Sequence, residues 1–215
     1  MAQVPTGTTF FVASVYSAAV ATTIVTNASE AVVTATAHGF ANGDVVEVTS
    51  GWGRLNKRNF RIKSVAANTM VLEGADTSSV TYFPAGSGLG SVRKVNTFTQ
   101  IQQVLGVQSS GGDPKNVTYK YLESDVEFNI NDGFAASQMS LELDSDSIVT
   151  AGYTALKSLT DLQTDTCVRI NTRNGAVIYV PCTVALNEAV QFQDGQINRV
   201  VVSINSNGRL VRYAV

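Results

Sequence analysis

Short apolar runs with a period of two, separated by turn residues, follow one another along most of the chain. They are rich in Val, Ile, Thr and aromatic residues, which favour extended structure. They predict strands over Phe10–Tyr16, Ala31–Thr36, Asp44–Val48, Asn59–Val65 and Thr69–Glu73. Asn42-Gly43 lies between two of these runs and predicts a hairpin, because both residues tolerate a positive φ.

The clearest alternation in the second half of the chain covers Tyr119–Asn131. Successive side chains of a strand point to opposite faces. One predicted face is apolar, with Leu122, Val126, Phe128 and Ile130. The other face is polar and acidic, and it includes Glu123, Asp125 and Glu127. A turn at Asp132-Gly133 is predicted to join this strand to a partner over Met139–Leu143.

One helix is predicted over Gly152–Leu162, where Ala155, Leu156, Leu159 and Leu162 form a single apolar stripe. Thr150 is placed to cap its first turn. Asn174-Gly175 and Asn207-Gly208 each separate two apolar runs and predict two further hairpins. The expected fold class is therefore mainly β: an antiparallel β-sandwich or barrel flanked by one α-helix.

The run of short strands over residues 26–94 is the right size for a small β-barrel inserted into a larger β domain. The glycine-rich stretch Pro84–Ser91 ends it. The expected organisation is one domain of residues 1–25 and 95–215, with an inserted domain of residues 26–94.

Charged residues make up only 15% of the chain, and the net charge is −2. This balance lacks the basic footprint of a nucleic-acid-binding protein. Strand faces rich in Thr, Ser and Asn can be buried against a partner without desolvating an ion, which favours assembly. The apolar stretch Thr9–Val25 lacks a preceding basic region and is broken by hydroxyl side chains, so a strand is expected there rather than a signal peptide or a membrane span.

Residues able to carry chemistry are few. His38 is the only histidine, and Cys167 and Cys182 do not have the short spacing of a zinc site. Gly86–Ser91 lacks the lysine of a phosphate-binding loop. The cysteines could pair on neighbouring strands, but a free cysteine more often packs as a small apolar side chain. We therefore expect no catalytic residues, no metal and no cofactor.

Three features leave alternatives open. Glu123, Asp125 and Glu127, at steps of about 7 Å along a strand, would suit a glycosidase pair, a calcium site or an ordinary solvated face. Asp144 and Asp146 could bind a cation or cap a turn. Trp52, between two glycines, could stack a sugar on the inserted domain or pack at the rim of a barrel.

Several stretches together resemble one family. They are the loop Ser109–Pro114, the strand Lys120–Ile130, the segment Asp144–Leu162, the hairpin Arg169–Val180 and the ending Gly208–Val215. The chain resembles the tail tube (major tail) proteins of long-tailed bacteriophages over these residues. The stretch from Ala37 to Val46 is similar to small β-barrel modules that recur in phage structural proteins.

This resemblance implies a structural virion protein, made in the bacterial host cytoplasm, whose hexameric rings stack into a tube. DNA would pass through the tube without specific binding, and no membrane would be involved. The partners would be further copies and the tail tip, tape measure and tail terminator proteins. Glu123, Asp125 and Glu127 would face the lumen, and a ring-stacking loop would comprise Ser109, Ser110, Gly111, Gly112 and Asp113. The rival functions are a carbohydrate-binding module and a tail terminator or connector that forms single rings.

Overall fold

The computed structural model describes residues 6–214. The predicted larger domain begins at residue 1 and ends at residue 215, so residues 1–5 and 215 of that prediction lie outside the described residues. Strands dominate, with one 3₁₀ helix at Ser145–Val149 and one α-helix, α1, at Ala151–Leu162. The strands are β1 Thr9–Tyr16, β2 Val20–Ala21, β3 Ile24–Val25, β4 Val32–Thr34, β5 Val45–Ser50, β6 Arg58–Lys63, β7 Thr69–Leu72, β8 Gly90–Ile101, β9 Val104–Gly111, β10 Pro114–Tyr119, β11 Phe128–Phe134, β12 Ser137–Asp144, β13 Thr166–Asn171, β14 Val177–Gln191, β15 Arg199–Ser206 and β16 Val211–Tyr213.

A single curled antiparallel sheet contains all of these strands except β10 and β11. Its order is β3-β4-β7-β6-β5-β8-β1-β13-β14-β15-β12-β9, with β2 added beside β8 and β16 beside β14. Strands β10 and β11 pair only with each other among the described strands, and they form a separate two-stranded sheet. The predicted fold class, mainly β with one flanking helix, is confirmed.

Two apolar cores fill the curl of the sheet. The first lies among strands β4–β8, and its largest members are Trp52, Phe60, Ile62, Met70 and Leu72. The second lies under α1, which packs against β14, β8 and β1, and its members include Leu141, Leu143, Leu156, Val202 and Ile204. Strand β14 continues from the first core into the second and so connects them.

Strand β8 changes partners near the predicted domain boundary. Its first residues pair with β5, where Lys94 lies opposite Val46. Its later residues pair with β1, where Val95 lies opposite Tyr16. The first core also receives Cys167, Tyr179 and Tyr213 from outside residues 26–94. The inserted domain stays a prediction, and its core is shared with the rest of the chain.

Several local predictions agree with the structure. Strands β1, β6 and β7 form where strands were predicted, and Asn174-Gly175 joins β13 to β14 as a hairpin. The helix begins one residue before its predicted start, and the Thr150 Oγ1 accepts a hydrogen bond from the Tyr153 N–H at 3.2 Å. This cap stabilises the helix by about 1 kcal/mol.

Two predicted hairpins are wrong. After Asn42-Gly43, β5 pairs with β6 and β8, while β4 pairs with β3 and β7. The chain does not reverse direction at Asn207-Gly208, because β15 before it and β16 after it both run antiparallel to β14. A turn forms at Asn42-Gly43 and a bend at Asn207-Gly208, but long-range pairing decides which strands meet.

The strand predicted over Tyr119–Asn131 is also wrong. Residues 120–127 form the connection between β10 and β11, and Asp132-Gly133 lies inside β11 at a register shift rather than at a turn. Strand β12, the predicted partner, pairs instead with β9 and β15. Polar and apolar residues keep alternating through residues 120–127, although these residues form a loop and not a strand.

Candidate assembly surfaces

The pair β10–β11 projects from the main sheet as a hairpin, which we call the arm (residues 112–136). Two glycines make the corner where β9 ends, Gly111 with φ +79° and Gly112 with φ +80°. A Cβ atom on Gly111 would lie 2.1 Å from the carbonyl oxygen of Ala136. Glycine is therefore required at this corner for its backbone angle and for the close approach of the returning chain.

The arm has two unlike faces. Paired residues in an antiparallel sheet point to the same face. One face carries Val117, Tyr119, Phe128 and Ile130, and the other carries Asn116, Thr118, Asn129 and Asn131. Tyr121 adds its ring to those of Tyr119 and Phe128, at 5.4 and 6.0 Å between centroids. The apolar face is nevertheless open to solvent, since Ile130 remains 56% exposed.

Such a hairpin is marginally stable on its own in water, because two strands cannot cover an apolar face. Large exposed apolar surfaces usually mark an interaction site. The sequence contained the signal, since Val117-Thr118-Tyr119 and Phe128-Asn129-Ile130 both alternate. The alternation continues through residues 120–127, so the local pattern predicts one long strand where the structure has two strands and a connection.

The predicted lumen residues lie at the tip of the arm. Glu123 is in a turn, Asp125 is in a bend, and Glu127 lies just before β11, so the three carboxylates do not share a strand face. All three are exposed, and Ser124 Oγ accepts a hydrogen bond from the Val126 N–H at this tip. The premise of one acidic strand face is wrong, and their position in the lumen stays a prediction.

The predicted stacking loop is mostly strand. Ser109, Ser110 and Gly111 belong to β9 and pair with Met139, Gln138 and Ser137 of β12. Only Gly112 and Asp113 form a connection, the first step into the arm. The loop interpretation of these five residues is therefore corrected, while a role for this region in stacking is untested.

A second surface is the open face of the four strands β14, β15, β12 and β9. Their opposite face is covered by α1 and the second core. The register places uncharged polar or small side chains across the open face: Gln108, Ser110, Gln138, Ser140, Thr183, Ala185, Ser203 and Asn205. At its end, Glu142 and Arg199 form an ion pair at 2.9 Å. The register also places Asp144 on this face, opposite Arg199, so the face carries no net positive charge.

The same four strands end in two unpaired edges. Strand β9 pairs only with β12 among the described strands. Beyond Cys182, β14 pairs with β15 on one side, and on its other side the Leu186 N–H donates to the Thr160 Oγ1 of α1. Unpaired edges are places where another chain can add a strand.

An open groove of 720 Å³ lies beside the base of the arm, where β15 gives way to β16. Its lining includes Phe134 of the arm, Met139 and Ile204 of the paired strands β12 and β15, and Leu210. The guanidinium of Arg209 lies 5.4 Å from the ring centroid of Phe134. The groove therefore combines apolar side chains with a cationic rim, and no local pattern in the sequence predicts it.

Trp52 is not a surface platform. Its side chain is 2% exposed, its indole N–H donates to the Pro84 carbonyl at 2.8 Å, and its ring meets Phe83 edge-on. A Cβ on Gly88 would lie 2.8 Å from the indole, so the glycine lets the backbone cover the ring. Packing at the rim of the first core is the role that the structure assigns, and the carbohydrate interpretation loses its ligand platform.

The remaining candidates for chemistry are also packed into the fold. His38 is buried, and its Nδ1 accepts a hydrogen bond from the Phe40 N–H. Cys167 and Cys182 are free and buried in different cores on opposite faces of the sheet. Asp144 accepts a hydrogen bond from the Asp146 N–H and so caps the 3₁₀ helix. Residues 6–214 contain no cluster of three or more His, Cys, Asp or Glu that could hold a metal ion.

A sequence model of the phage tail tube protein family matches residues 50–215. The match begins at the last residue of β5 and includes the arm, the groove, α1 and the four strands with unpaired edges. No curated protein sequence matches the chain. Within residues 6–214, helix α1 is too short to span a membrane, and there is no longer helix.

Proposed function

The chain belongs to the phage tail tube protein family and is a structural protein of the virion tail, and we propose that its copies form hexameric rings that stack into the tube. The observation that carries this proposal is the arm, a hairpin whose apolar face is left exposed by the other residues of 6–214. Burying that face against another copy removes it from water. No catalytic step and no cofactor enter the proposal.

The unpaired edges of β9 and β14 support closure of a ring. They bound the same four-stranded sheet on its two sides, so the β9 edge of one copy can meet the β14 edge of the next. This contact is heterologous, because two different surfaces meet. Repeated around an axis, this contact closes into a ring in which the β9 edge and the β14 edge of every copy are paired.

The open face of these four strands suits the wall of the bore. Because α1 covers the other face, the ring would carry its helices outside and the uncharged polar side chains inside. DNA passing such a wall meets no net positive charge and so no site that holds phosphate. The alternative assignment of Glu123, Asp125 and Glu127 to the bore requires the connection between β10 and β11 to turn inward.

We also propose that residues 26–94 form an inserted module on the outside of the tube. The change of β8 partners between Lys94 and Val95 supports this boundary. Tyr213 joins the module to the rest, since its hydroxyl accepts from the Arg61 N–H and donates to the Glu73 carbonyl, both at 3.0 Å. The module would therefore move with the ring rather than swing on a linker.

The remaining partners follow from the place of a tube in a tail. Tail tip, tape measure and tail terminator proteins would contact the ends and the bore of the stack, and synthesis would take place in the bacterial host cytoplasm. DNA would pass without specific binding, and no membrane would be contacted.

Negative-stain electron microscopy of the concentrated protein tests the proposal. Hollow tubes or stacked sixfold rings are expected. Single rings that never stack would favour a tail terminator or connector instead. A chain that stays monomeric even with tail-tip complex added would overturn the proposal.

A further inference from the structure

The turn between β14 and β15 carries apolar side chains that no other part of the described structure covers. We call residues 192–198 the tip. Phe192 is 77% exposed and Ile197 is 59% exposed. Between them the Gln196 N–H donates to the Gln193 carbonyl, and this turn presents Asp194. Two large apolar side chains therefore flank a single carboxylate.

The tip and the groove lie at opposite ends of the same two strands. Strand β14 passes the groove at Val180 and ends at the tip, and β15 leaves the tip and reaches the groove at Ile204 and Ser206. A second copy displaced along the strand direction therefore brings its tip to the groove of the first. Each copy therefore carries both a tip and a groove, at opposite ends of its own strands β14 and β15.

The charges of the two surfaces are opposite. Asp194 at the tip and Arg209 at the groove form no ion pair among the described residues. Arg58 lies near Arg209, and its pKa is lowered first by burial and next by the Arg209 charge. A carboxylate arriving at this rim would thus meet two guanidinium groups that form no ion pair with any acidic side chain of residues 6–214.

We propose that the tip of one copy inserts into the groove of the next copy along the stack, with Phe192 and Ile197 in the groove and Asp194 beside Arg209. This contact rests on the proposed function, since it requires copies to stack. It is heterologous, so each copy offers a tip at one end and a groove at the other. It involves other residues than the apolar face of the arm, which is formed by Val117, Tyr119, Phe128 and Ile130.

Complementation between two polymerisation-deficient variants tests the contact. Phe192→Asp damages the tip and leaves the groove intact, whereas Leu210→Asp damages the groove and leaves the tip intact. Each substitution would bury an unpaired carboxylate, so each variant alone should need a protein concentration roughly tenfold or more above that of the unmodified chain to polymerise. In a one-to-one mixture, the intact tip of Leu210→Asp can still enter the intact groove of Phe192→Asp. Sedimentation velocity should then show a species with twice the mass of the species that either variant forms alone.

A charge swap tests the pairing independently. Asp194→Arg and Arg209→Asp should each raise the concentration needed for polymerisation, because like charges then meet. The double variant should polymerise near the concentration of the unmodified chain. Val80→Asp is the matched control, since Val80 is 64% exposed on the proposed module and should tolerate the charge.

The outcomes separate this contact from the proposed function. If the unmodified chain polymerises and Phe192→Asp polymerises equally well, the tip contact is wrong and the tail tube function stands. The same conclusion follows if the one-to-one mixture shows no heavier species. If the unmodified chain forms no polymer even with tail-tip complex, the proposed function fails and this contact fails with it.

Discussion

The guanidinium of Arg61 lies 4.5 Å above the ring of Tyr213, although 151 residues separate them in the chain. The Tyr213 hydroxyl also bonds to backbone groups of Arg61 and Glu73. Burial raises the pKa of Tyr213 to about 12. The last strand of the chain thus holds the proposed module through a tyrosine that must stay protonated.

Alkaline pH should destabilise the protein through this residue. An unfolded tyrosine has a pKa of about 10, so the folded state binds its proton more tightly. The stability gained is complete below pH 10 and is lost as the pH rises toward 12. Tyr213→Phe should lower the free energy of unfolding at pH 7 by about 1–3 kcal/mol, because the Arg61 N–H loses its partner.

Urea unfolding measured from pH 8 to pH 12 checks this prediction. The decline between pH 10 and pH 12 should be shallower in Tyr213→Phe than in the unmodified chain. Tyr82→Phe is the control, since Tyr82 is exposed and its hydroxyl makes no hydrogen bond among the described residues. Parallel pH profiles for all three proteins would contradict a role for Tyr213.

The apolar face of the arm should be needed for assembly and dispensable for folding. Ile130→Asp places a charge on that exposed face, so the monomer should unfold at nearly the same temperature as the unmodified chain. Polymerisation should be lost, because the charge would be buried in the contact. Asn129→Asp adds the same charge to the opposite face and should leave polymerisation intact. Equal polymerisation by both variants would remove the arm from the assembly contact.

The corner of the arm should depend on Gly111 more than on other glycines with a positive φ. Gly111→Ala adds both backbone strain and a clash with the Ala136 carbonyl, whereas Gly43→Ala, at φ +87°, has nothing within 4 Å of its new Cβ. Strain alone costs about 1–2 kcal/mol, so the loss of stability should be larger at Gly111. Hydrogen exchange at the Ser137–Gly111 pairing should also accelerate. Equal losses for the two variants would contradict this account of the corner.

Chemical labelling of the assembled tube distinguishes its bore from its outer wall. Ser140→Cys should react with a small maleimide but not with a polymer-linked maleimide too large to enter, whereas Asp161→Cys on α1 should react with both. The native cysteines should stay silent, because burial raises the pKa of Cys182 to about 12 and that of Cys167 well above its usual value. If Glu127→Cys does not react with the polymer-linked maleimide, the result would support a bore lined by Glu123, Asp125 and Glu127. If Ser140→Cys does react with it, the open face of the four strands does not line the bore.

Strand existence could be predicted from local pattern, but strand pairing could not. The runs over Phe10–Tyr16 and Asn59–Val65 contain β-branched and aromatic residues at a period of two, and both form strands. Asn207-Gly208 has the residues of a hairpin turn, yet Asn207 bonds to Pro181 and Asp165 instead. Which strand lies beside β14 depends on contacts far away in sequence.

The surfaces were harder to predict than the fold. The pattern around Trp52 leaves a sugar platform and packing at a barrel rim both open, and the ring is buried because Gly88 allows the backbone to pack over it. The groove depends on the arm, β15 and β16 meeting in space, and no local pattern encodes such a meeting. The opening beside Leu210 therefore emerges only from tertiary structure.

Strands β14 and β15 have the tip at one end and the groove at the other, so their length sets the distance between these two surfaces. Strand β15 runs seven residue steps from Arg199 to Ser206, which span about 24 Å at the rise of an antiparallel strand. In a stack built through this contact, successive copies are spaced by about that distance along the strand direction. Two residues added to each strand would lengthen every step by about 7 Å. The number of copies needed for a tail of given length would then fall in proportion.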